Sequence, residues 1–402
     1  MFENLPSNTN PLEEKELKRR EEEKHNGFPS DKLGQLEGPI RDLFDTKLNS
    51  SEIYSLLLTV LARNIEKKNP STVLSEYRGS KLLEPSSVNY KDSLFLDSLL
   101  VNNLDESYDL ISPSPIVPSG AVSAVNKINP KTILQTIKGS ELISDTSVAL
   151  ALEAAMRRSE TDLKKNLNIT NLAASQREVR LQQFSNADFS PHFNSFTIAS
   201  ASRDIGRFNF EKQAMFNHID YFLKSLISLN EVPGYDIKDI IVEISDISIV
   251  EKLIEAGLLS REMVTSALRS SAGPIDVFSE AGINLNKRIE NFDDFILPDD
   301  LTFLNVPIQI LKKFEGKFLP KLKEDYPGVL FQFRLDRSAG IGYFDSLCYK
   351  IRAKNSKDEV VPIVDGGASD WTAKFLSDSS ERFFGSGIGS DHLIKKFNKN
   401  YE

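Results

Sequence analysis

Apolar residues recur along this chain at spacings that predict its helices. A 4-3-4-3 spacing is typical of one buried helix face, and it predicts a long helix over Phe208–Leu229. The same reasoning predicts amphipathic helices at Glu52–Lys68 and Thr146–Arg158. The buried stripe expected on the long helix consists of Met215, Ile219, Phe222, Leu226 and Leu229.

Alternating apolar and polar residues predict the strands. Two alternating segments, Ile341–Ala353 and Glu359–Val364, flank a polar turn and indicate a hairpin. The second segment runs into a double glycine, and the stretch Gly385–Gly389 precedes a short predicted helix, Asp391–Asn398. Glycines let the backbone approach a ligand, and a helix N-terminus offers free N–H groups to an anion. Residues 192–202 are also predicted to form a strand.

Three glycine-containing motifs follow one another near the C-terminal end. They are Gly340–Ser346 with an aromatic residue at Tyr349, then Gly366–Asp370, then Gly385–Leu393. In this order they resemble the end of the catalytic domain of class II aminoacyl-tRNA synthetases of the histidyl branch. That family carries G-L-D-Y-Y-T-G-x-x-F, G-G-R-Y-D and G-x-x-I-G-L-E-R-L at the corresponding places.

Two upstream segments are similar to the same family. Tyr108–Pro113 resembles the strand of motif 1, whose proline lies at a dimer interface in that fold, and Val179–Leu181 with His192–Ala199 resembles motif 2. The resemblance covers roughly residues 90–398. It implies an α+β fold, in which a class II synthetase-like antiparallel sheet is flanked by helices, and it implies a homodimer.

The departures from the family motifs decide the expected function. His392 stands where the motif 3 arginine holds ATP phosphate, and a neutral imidazole cannot replace a forked, charged guanidinium. Ser195 and Ala199 stand at polar ligand contacts of motif 2, while Ile143 and Ala368 replace two further arginines. We therefore expect no tRNA charging. The sequence also stops shortly after motif 3, where this branch continues into an anticodon-binding domain.

Composition and charge narrow the function classes further. The net charge of −9 over 402 residues disfavours binding to nucleic-acid phosphate. The single cysteine, Cys348, excludes an intrachain disulfide, and the first residues lack a signal-peptide pattern. The longest aliphatic stretch is too short to span a bilayer, so a cytoplasmic protein is expected. The four histidines are scattered, and no metal site is predicted.

The distribution of polar segments predicts the domain organisation. Residues 1–45 are polar and charge-dense, which indicates a flexible N-terminal arm. Residues 46–90 are expected to form a helical segment, and residues 91–398 the synthetase-like domain. A small inserted α/β segment is a candidate at about residues 235–325, where the histidyl branch holds an insertion.

The candidate ligand-binding residues come from the same motifs. The loops Asp365–Asp370 and Gly385–Gly389 are expected to converge on one cavity above the strand Ile341–Ala353. Within the first loop, a ligand role is favoured for Asp370 and a turn-stabilising role for Asp365. For His218, a hydrogen-bonded packing role is favoured over that of a general base. The candidate set is Tyr343, Asp345, Gly366, Gly367, Asp370, Arg382, Ser386, Gly387, Gly389 and Arg203, with no catalytic residue assigned.

Two functions from different classes stay open. The first is a degenerate histidyl-tRNA synthetase-like protein that binds a small amino-acid-like or nucleotide ligand and regulates a partner enzyme. The regulatory subunit of ATP phosphoribosyltransferase is a relative of that kind. The alternative is an enzyme that reuses the fold for amino-acid activation or ligation with non-standard pocket residues, for which ATP and Mg²⁺ are candidate cofactors.

Overall fold

The computed structural model describes residues 47–126, 130–160, 167–181, 190–269 and 276–401, together with residues 38 and 42. The predicted arm at residues 1–45 therefore falls almost wholly outside the described residues. Contacts divide the chain into two compact units, Met1–Val73 and Leu74–Glu402. Helix α1 (Ser50–Ile65) of the first unit begins after Asn49, which forms a capping box with Glu52. The predicted helix Glu52–Lys68 is thereby confirmed.

The second unit contains the remaining helices and strands, and the first of these helices begins at the end of the first unit. Its helices are α2 (Pro70–Arg78), α3 (Tyr90–Asn102), α4 (Ala121–Val125), α5 (Thr146–Ser159), α6 (Asn209–Asn230), α7 (Ser248–Glu255), α8 (Arg261–Arg269), α9 (Val277–Glu280), α10 (Asn305–Asp325), α11 (Trp371–Leu376) and α12 (Ser390–Phe397). Its strands are β1 (Tyr108–Leu110), β2 (Ile116–Pro118), β3 (Ser140–Leu142), β4 (Thr170–Val179), β5 (His192–Arg203), β6 (Lys238–Asp246), β7 (Arg288–Ile289), β8 (Leu330–Arg334), β9 (Leu347–Lys354), β10 (Val360–Ser369) and β11 (Glu381–Gly389).

One nine-stranded sheet organises this unit, in the order β1-β4-β5-β11-β10-β9-β6-β8-β7. Only β1 with β4 and β6 with β8 pair in parallel, and all other neighbours in this sheet are antiparallel. The predicted class, an antiparallel sheet flanked by helices, is confirmed. Strand β6 lies between β9 and β8, so the segment at about residues 235–325 contributes to the main sheet.

The two faces of the sheet differ in what covers them. On one face, α6 and α10 pack against the strands, and the whole stripe predicted for the long helix is buried. On the other face, α5 and α11 cover β4, β5 and β11 with a smaller apolar cluster that includes Leu150 and Trp371. The rest of this second face carries polar and charged side chains, and it is the face that forms the candidate site.

The glycine motifs adopt a different local structure from the one expected. The strand predicted at Ile341–Ala353 starts only at Leu347. Gly340 and Gly342 have φ of +99° and +78°, and the residues just before the strand form turns around them. The two predicted loops are strands. They pair with each other in β10 and β11, with Asp365 opposite Gly387. Among the described residues, no helix combines the length and the apolarity needed to cross a lipid bilayer.

Candidate functional site

A cavity of about 580 Å³ lies on the sheet face opposite α6. Its floor comes from β4, β5, β11, β10 and β9, and the ends of α5 and α12 add to its rim. Side chains alternate between the faces of a strand, so Gly385, Gly387 and Gly389 all fall on the cavity side of β11. Ser386, between them, faces the opposite side and bonds to α6. The row of glycines leaves the space that side chains would otherwise fill.

Charged residues alternate across the floor at the far end of this row. The strand register places Lys350 opposite Asp365 on one side and Glu243 on the other. The Lys350 Nζ lies 3.2 Å from an Asp365 carboxylate oxygen, and the Arg337 Nη2 donates to the other at 2.5 Å. Asp365 thus enters the cavity wall as a carboxylate held by two cations, and not as the turn residue that was favoured for it.

Glu178 organises the opposite end of the cavity. Its Oε1 accepts hydrogen bonds from the Thr146 backbone N–H at 3.0 Å, the Thr146 hydroxyl at 2.9 Å and the Ser195 hydroxyl at 2.7 Å. Its Oε2 accepts from Arg180 Nη2 at 2.7 Å. Arg180 also lies over the Phe193 ring, 5.0 Å from its centroid. This carboxylate is fully engaged, which fixes the rotamers of the residues around it.

A second carboxylate, Asp145, lies beside Glu178. One of its oxygens accepts from the Ser147 backbone N–H at 2.9 Å and caps α5, while the other accepts from the Tyr343 hydroxyl at 2.7 Å. Burial, and then the charge of Glu178, raise the pKa of Asp145. Burial opposes ionisation of Arg180, but Glu178 and Asp145 overcome it and raise the pKa of Arg180. A ligand cation placed here would stabilise the ionised form of Asp145.

Helix α12 closes the rim with Asp391, His392 and Lys395. Asp391 accepts a hydrogen bond from the Ser86 hydroxyl at 2.9 Å and lies 3.4 Å from Arg177 Nη1. His392, at the position of the motif 3 arginine, lines the cavity. The rim therefore offers a lysine and an imidazole, and no guanidinium at this position.

Comparisons with known proteins identify the fold. No family model matches the chain, and no curated protein matches its sequence. A solved ATP phosphoribosyltransferase regulatory subunit/histidyl-tRNA synthetase from Bacillus halodurans C matches with a TM-score of 0.56 and 14% identity, over 78% of this chain and 83% of that one. The chain has the fold of the histidyl branch of class II aminoacyl-tRNA synthetases.

Two further solved structures share this class II fold at similar distance. A histidine–tRNA ligase subunit from Alicyclobacillus acidocaldarius matches with a TM-score of 0.52 and 12% identity, over 77% of this chain and 94% of that one. A histidyl-tRNA synthetase from Nostoc sp. PCC 7120 matches with a TM-score of 0.52 and 15% identity, over 78% and 73%. The resemblance inferred from the degenerate motifs is confirmed at the level of the fold.

Three of the ten candidate residues predicted from the motifs, Tyr343, Gly387 and Gly389, line the cavity. Gly366 and Gly367 lie within β10, where each allows close packing. A Cβ atom on Gly366 would meet Tyr349 and Ser386, and one on Gly367 would meet Phe344 and Cys348. The double glycine thus has a packing role that the sequence comparison did not separate from a ligand role.

The other five candidates bond elsewhere in the class II fold and do not belong to the cavity wall. Asp370 pairs with Lys374 at the start of α11, and Ser386 is buried against α6. Arg382 pairs with Asp204 and Glu211, Arg203 pairs with Asp378, and Asp345 accepts from the Ser346 hydroxyl.

Most charged residues of the cavity are absent from the candidate set, among them Asp145, Glu178, Arg180, Lys350 and Asp365. All five stand in or beside segments that were compared with the family motifs. The signal that would have separated them from their neighbours is the cross-strand register, which decides the face to which each side chain points.

The described residues contain no group of three or more His, Cys, Asp or Glu side chains placed to hold a metal ion. The cavity carboxylates Glu178 and Asp365 already bind cationic side chains or hydroxyl donors. Asp145 accepts from Ser147 and Tyr343. Asp391 keeps one oxygen, Oδ1, without a hydrogen-bond partner among the described residues. This donor set does not fit Mg²⁺, which needs several oxygens free to coordinate it.

His218 is buried in α6, between the Ser200 hydroxyl at 3.0 Å and the Ser386 hydroxyl at 2.8 Å. It lies on the face opposite the cavity, so the packing role favoured for it is confirmed. Burial lowers the pKa of His218 to about 3. An imidazole with that pKa stays neutral in the folded protein.

This buried histidine predicts a pH dependence of stability. The unfolded chain binds a proton at His218 near pH 6.5, whereas the folded chain binds it only near pH 3, so stability is full above about pH 7 and falls as the pH drops. The contribution is at most about 1.4 kcal/mol per pH unit. Urea unfolding at several pH values should show a shallower acid loss for His218→Gln than for the wild type. Parallel profiles would contradict the assignment.

Proposed function

We propose that this protein binds a small amino-acid-like or nucleotide ligand in the cavity and regulates a partner enzyme in the cytoplasm, without charging tRNA. The observation that carries the proposal is the cavity itself, where buried and half-buried charges of both signs line the sheet face opposite α6. Covering this face with apolar side chains would have been more favourable for stability, because burying a charge is unfavourable unless it is paired.

The arrangement of charges suits a ligand that carries an amine at one end. Asp145 and Glu178 lie next to the Tyr343 hydroxyl, and a ligand amine placed beside them would favour the ionised form of Asp145, whose pKa is raised by burial and by Glu178. Lys350 lies four strands from Glu178 across the floor, a span of roughly 19 Å at the usual strand spacing. That length accepts an amino acid joined to a further group, or a nucleotide.

The residues at positions where this sequence differs from the family motifs support a role without tRNA charging. Ser195 donates its hydroxyl to Glu178, and Ala199 is buried in the smaller apolar cluster. Neither offers a free polar group to substrate. With His392 in place of an arginine, the preorganised contacts that would stabilise a charged transition state are reduced, and losing one such contact typically lowers the rate about a hundredfold or more.

The expected result for Asp145→Asn is weaker binding of an amine-bearing ligand with an intact fold. Asparagine still caps α5 through its side-chain oxygen, and its amide N–H can donate to the Tyr343 hydroxyl oxygen, but it removes the charge. A thermal-shift screen over amino acids and nucleotides identifies the ligand, and calorimetry then compares the variant with the wild type. Loss of a charged hydrogen bond predicts about tenfold weaker binding or more. Wild-type affinity should also decrease as the pH falls, since protonation of Asp145 removes the same charge.

Asp370→Asn is the matched control, because Asp370 pairs with Lys374 outside the cavity wall. It should leave the affinity unchanged. Equal weakening by both substitutions would contradict the placement of the ligand, and a screen without any stabilising ligand would contradict the proposal. Ligand-dependent ATP turnover, or histidine-dependent ATP–pyrophosphate exchange, would instead favour the enzyme that reuses the fold.

We further propose a homodimer formed through the segment Tyr108–Pro118. Strand β1 is the edge of the nine-stranded sheet, and Leu110 and Ile116 are 50% and 44% exposed in the single chain. Unpaired strand edges with apolar side chains are suited to pairing with a second chain. Light scattering should give about twice 45.1 kDa for the wild type and a smaller mass for Leu110→Asp. A wild-type monomer at micromolar concentration would contradict this proposal.

A further inference from the structure

A second concave site lies on the same sheet face, beyond β9. This basic cleft has a volume of about 630 Å³ and lies over β9, β6 and β8, with α8 and α9 at its rim. Six basic and three acidic side chains line it, although the whole chain carries a net charge of −9. The basic residues are Lys287, Arg288, Arg334, Arg337, Lys350 and Arg352, and the acidic residues are Glu243, Asp276 and Asp336.

Internal ion pairs account for part of this positive charge. Glu243 accepts from Arg352 Nε at 2.9 Å and from Arg334 Nη1 at 3.1 Å. Asp336 accepts from the remaining two nitrogens of Arg334, at 2.7 and 2.9 Å, and Asp276 pairs with Lys287. Each of the three Arg334 nitrogens therefore donates to a carboxylate, and these bonds hold the wall in place.

Three arginines of the cleft have side-chain N–H groups without an acceptor among the described residues. Arg352 uses only its Nε for Glu243. The Arg288 side chain is exposed and has no hydrogen bond or ion pair within the part of the chain that the structure describes. The Arg337 side chain is only 7% exposed, yet its Nη1 has no hydrogen-bond partner. A buried guanidinium N–H without an acceptor is unfavourable, and an anion bound in the cleft would supply the acceptor.

We propose that the basic cleft is a second binding site, specific for a small phosphate-bearing anion that is held by Arg337, Arg352 and Arg288. Guanidinium groups match phosphate oxygens in pairs, and such charge-assisted hydrogen bonds are about twice as strong as neutral ones. A small ligand fits better than a nucleic-acid backbone for two reasons. The three carboxylates on the wall repel an extended polyanion, and the net charge of −9 disfavours binding along a phosphate backbone.

The basic cleft is distinct from the glycine-lined cavity but shares a wall with it. Asp365 lines only the cavity, Arg337 lines only the basic cleft, and the two are paired at 2.5 Å. Lys350 contributes to both spaces and also pairs with Asp365. The site therefore stands on its own observations and does not depend on the proposed occupant of the cavity.

The test is calorimetric titration of the full chain with inorganic pyrophosphate as the probe. Wild-type protein should bind it saturably, with one site per chain and an affinity that decreases with salt. Arg352→Gln should weaken binding about tenfold or more, and Arg288→Gln should weaken it in the same direction. Lys313→Gln removes the same charge from an exposed position on α10, on the opposite face of the sheet, and should leave the affinity unchanged.

Four other outcomes would contradict the proposal. Absence of saturable binding of millimolar pyrophosphate to the wild-type protein contradicts the proposal directly, because no substitution is present that could have disturbed the fold. Equal weakening by Lys313→Gln would show general charge attraction. Weakening by Gly387→Val, with none by Arg352→Gln, would place the anion in the glycine-lined cavity. Binding of a single-stranded RNA that depends on Arg352, without pyrophosphate binding, would identify a nucleic-acid surface instead.

Discussion

Arg158→Gln is expected to lower the free energy of unfolding by about 3–5 kcal/mol, the range found when one partner of a buried ion pair is removed. Arg158 and Glu381 are both fully buried, and the guanidinium donates to both carboxylate oxygens and to the Asn168 carbonyl. The substitution leaves the Glu381 carboxylate in the core with Arg203, at 3.6 Å, as its nearest remaining cation. Chemical denaturation followed by circular dichroism measures the loss.

Arg157→Gln provides the matched control, since it is the same substitution one residue earlier on α5. Arg157 pairs with Asp109 and Glu153 near the surface, and such pairs contribute at most about 1 kcal/mol. The double variant Arg158→Met/Glu381→Leu should recover most of the stability, because it removes both charges together. A loss for Arg158→Gln no larger than for Arg157→Gln would contradict the buried pair.

Gly366→Ala is expected to destabilise the protein by about 1–3 kcal/mol through overpacking. Its Cβ would lie 2.8 Å from the Tyr349 ring and 2.7 Å from the Ser386 Cβ. Both neighbours are fully buried, and Ser386 is also hydrogen-bonded to His218, so displacing either side chain would itself be unfavourable. Thermal or chemical denaturation measures the change directly.

Gly387→Ala serves as the comparison for the packing glycine. The Cβ of this variant would lie 3.2 Å from the Thr197 hydroxyl and 3.7 Å from the Phe196 carbonyl oxygen, and it otherwise faces the cavity. Its stability should therefore stay within about 0.5 kcal/mol of the wild type. If Gly366→Ala were as stable as Gly387→Ala, the division between packing glycines and cavity glycines would be wrong.

Much of the fold follows from local sequence patterns. The 4-3-4-3 stripe located α6 to within one residue at each end, and the alternation around residues 192–202 located β5. Ordered glycine motifs were enough to identify the class II fold, although only 14% of residues match the Bacillus halodurans C structure. Helix and strand periods are local properties, so they survive the loss of individual functional residues.

The cavity could not be predicted in the same way, because it depends on strand register. Glu178 lies on β4, far in sequence from the β9–β10 hairpin that carries Lys350 and Asp365, and a shift of one residue would turn each side chain to the other face. The double glycine illustrates the same limit. Nothing local distinguishes Gly366, which packs beneath Ser386, from Gly387, which opens the cavity next to it.

The most direct test of the ligand-binding cavity is a calorimetric titration of Gly387→Val beside the wild type. The titrant is whichever amino acid or nucleotide raises the wild-type melting temperature most. The valine side chain projects from the middle of the floor into the space that the glycine row leaves open, and a strand tolerates a β-branched residue. We predict no measurable binding to the variant and a melting temperature within a few degrees of the wild type. Undiminished binding to a folded variant would contradict the account.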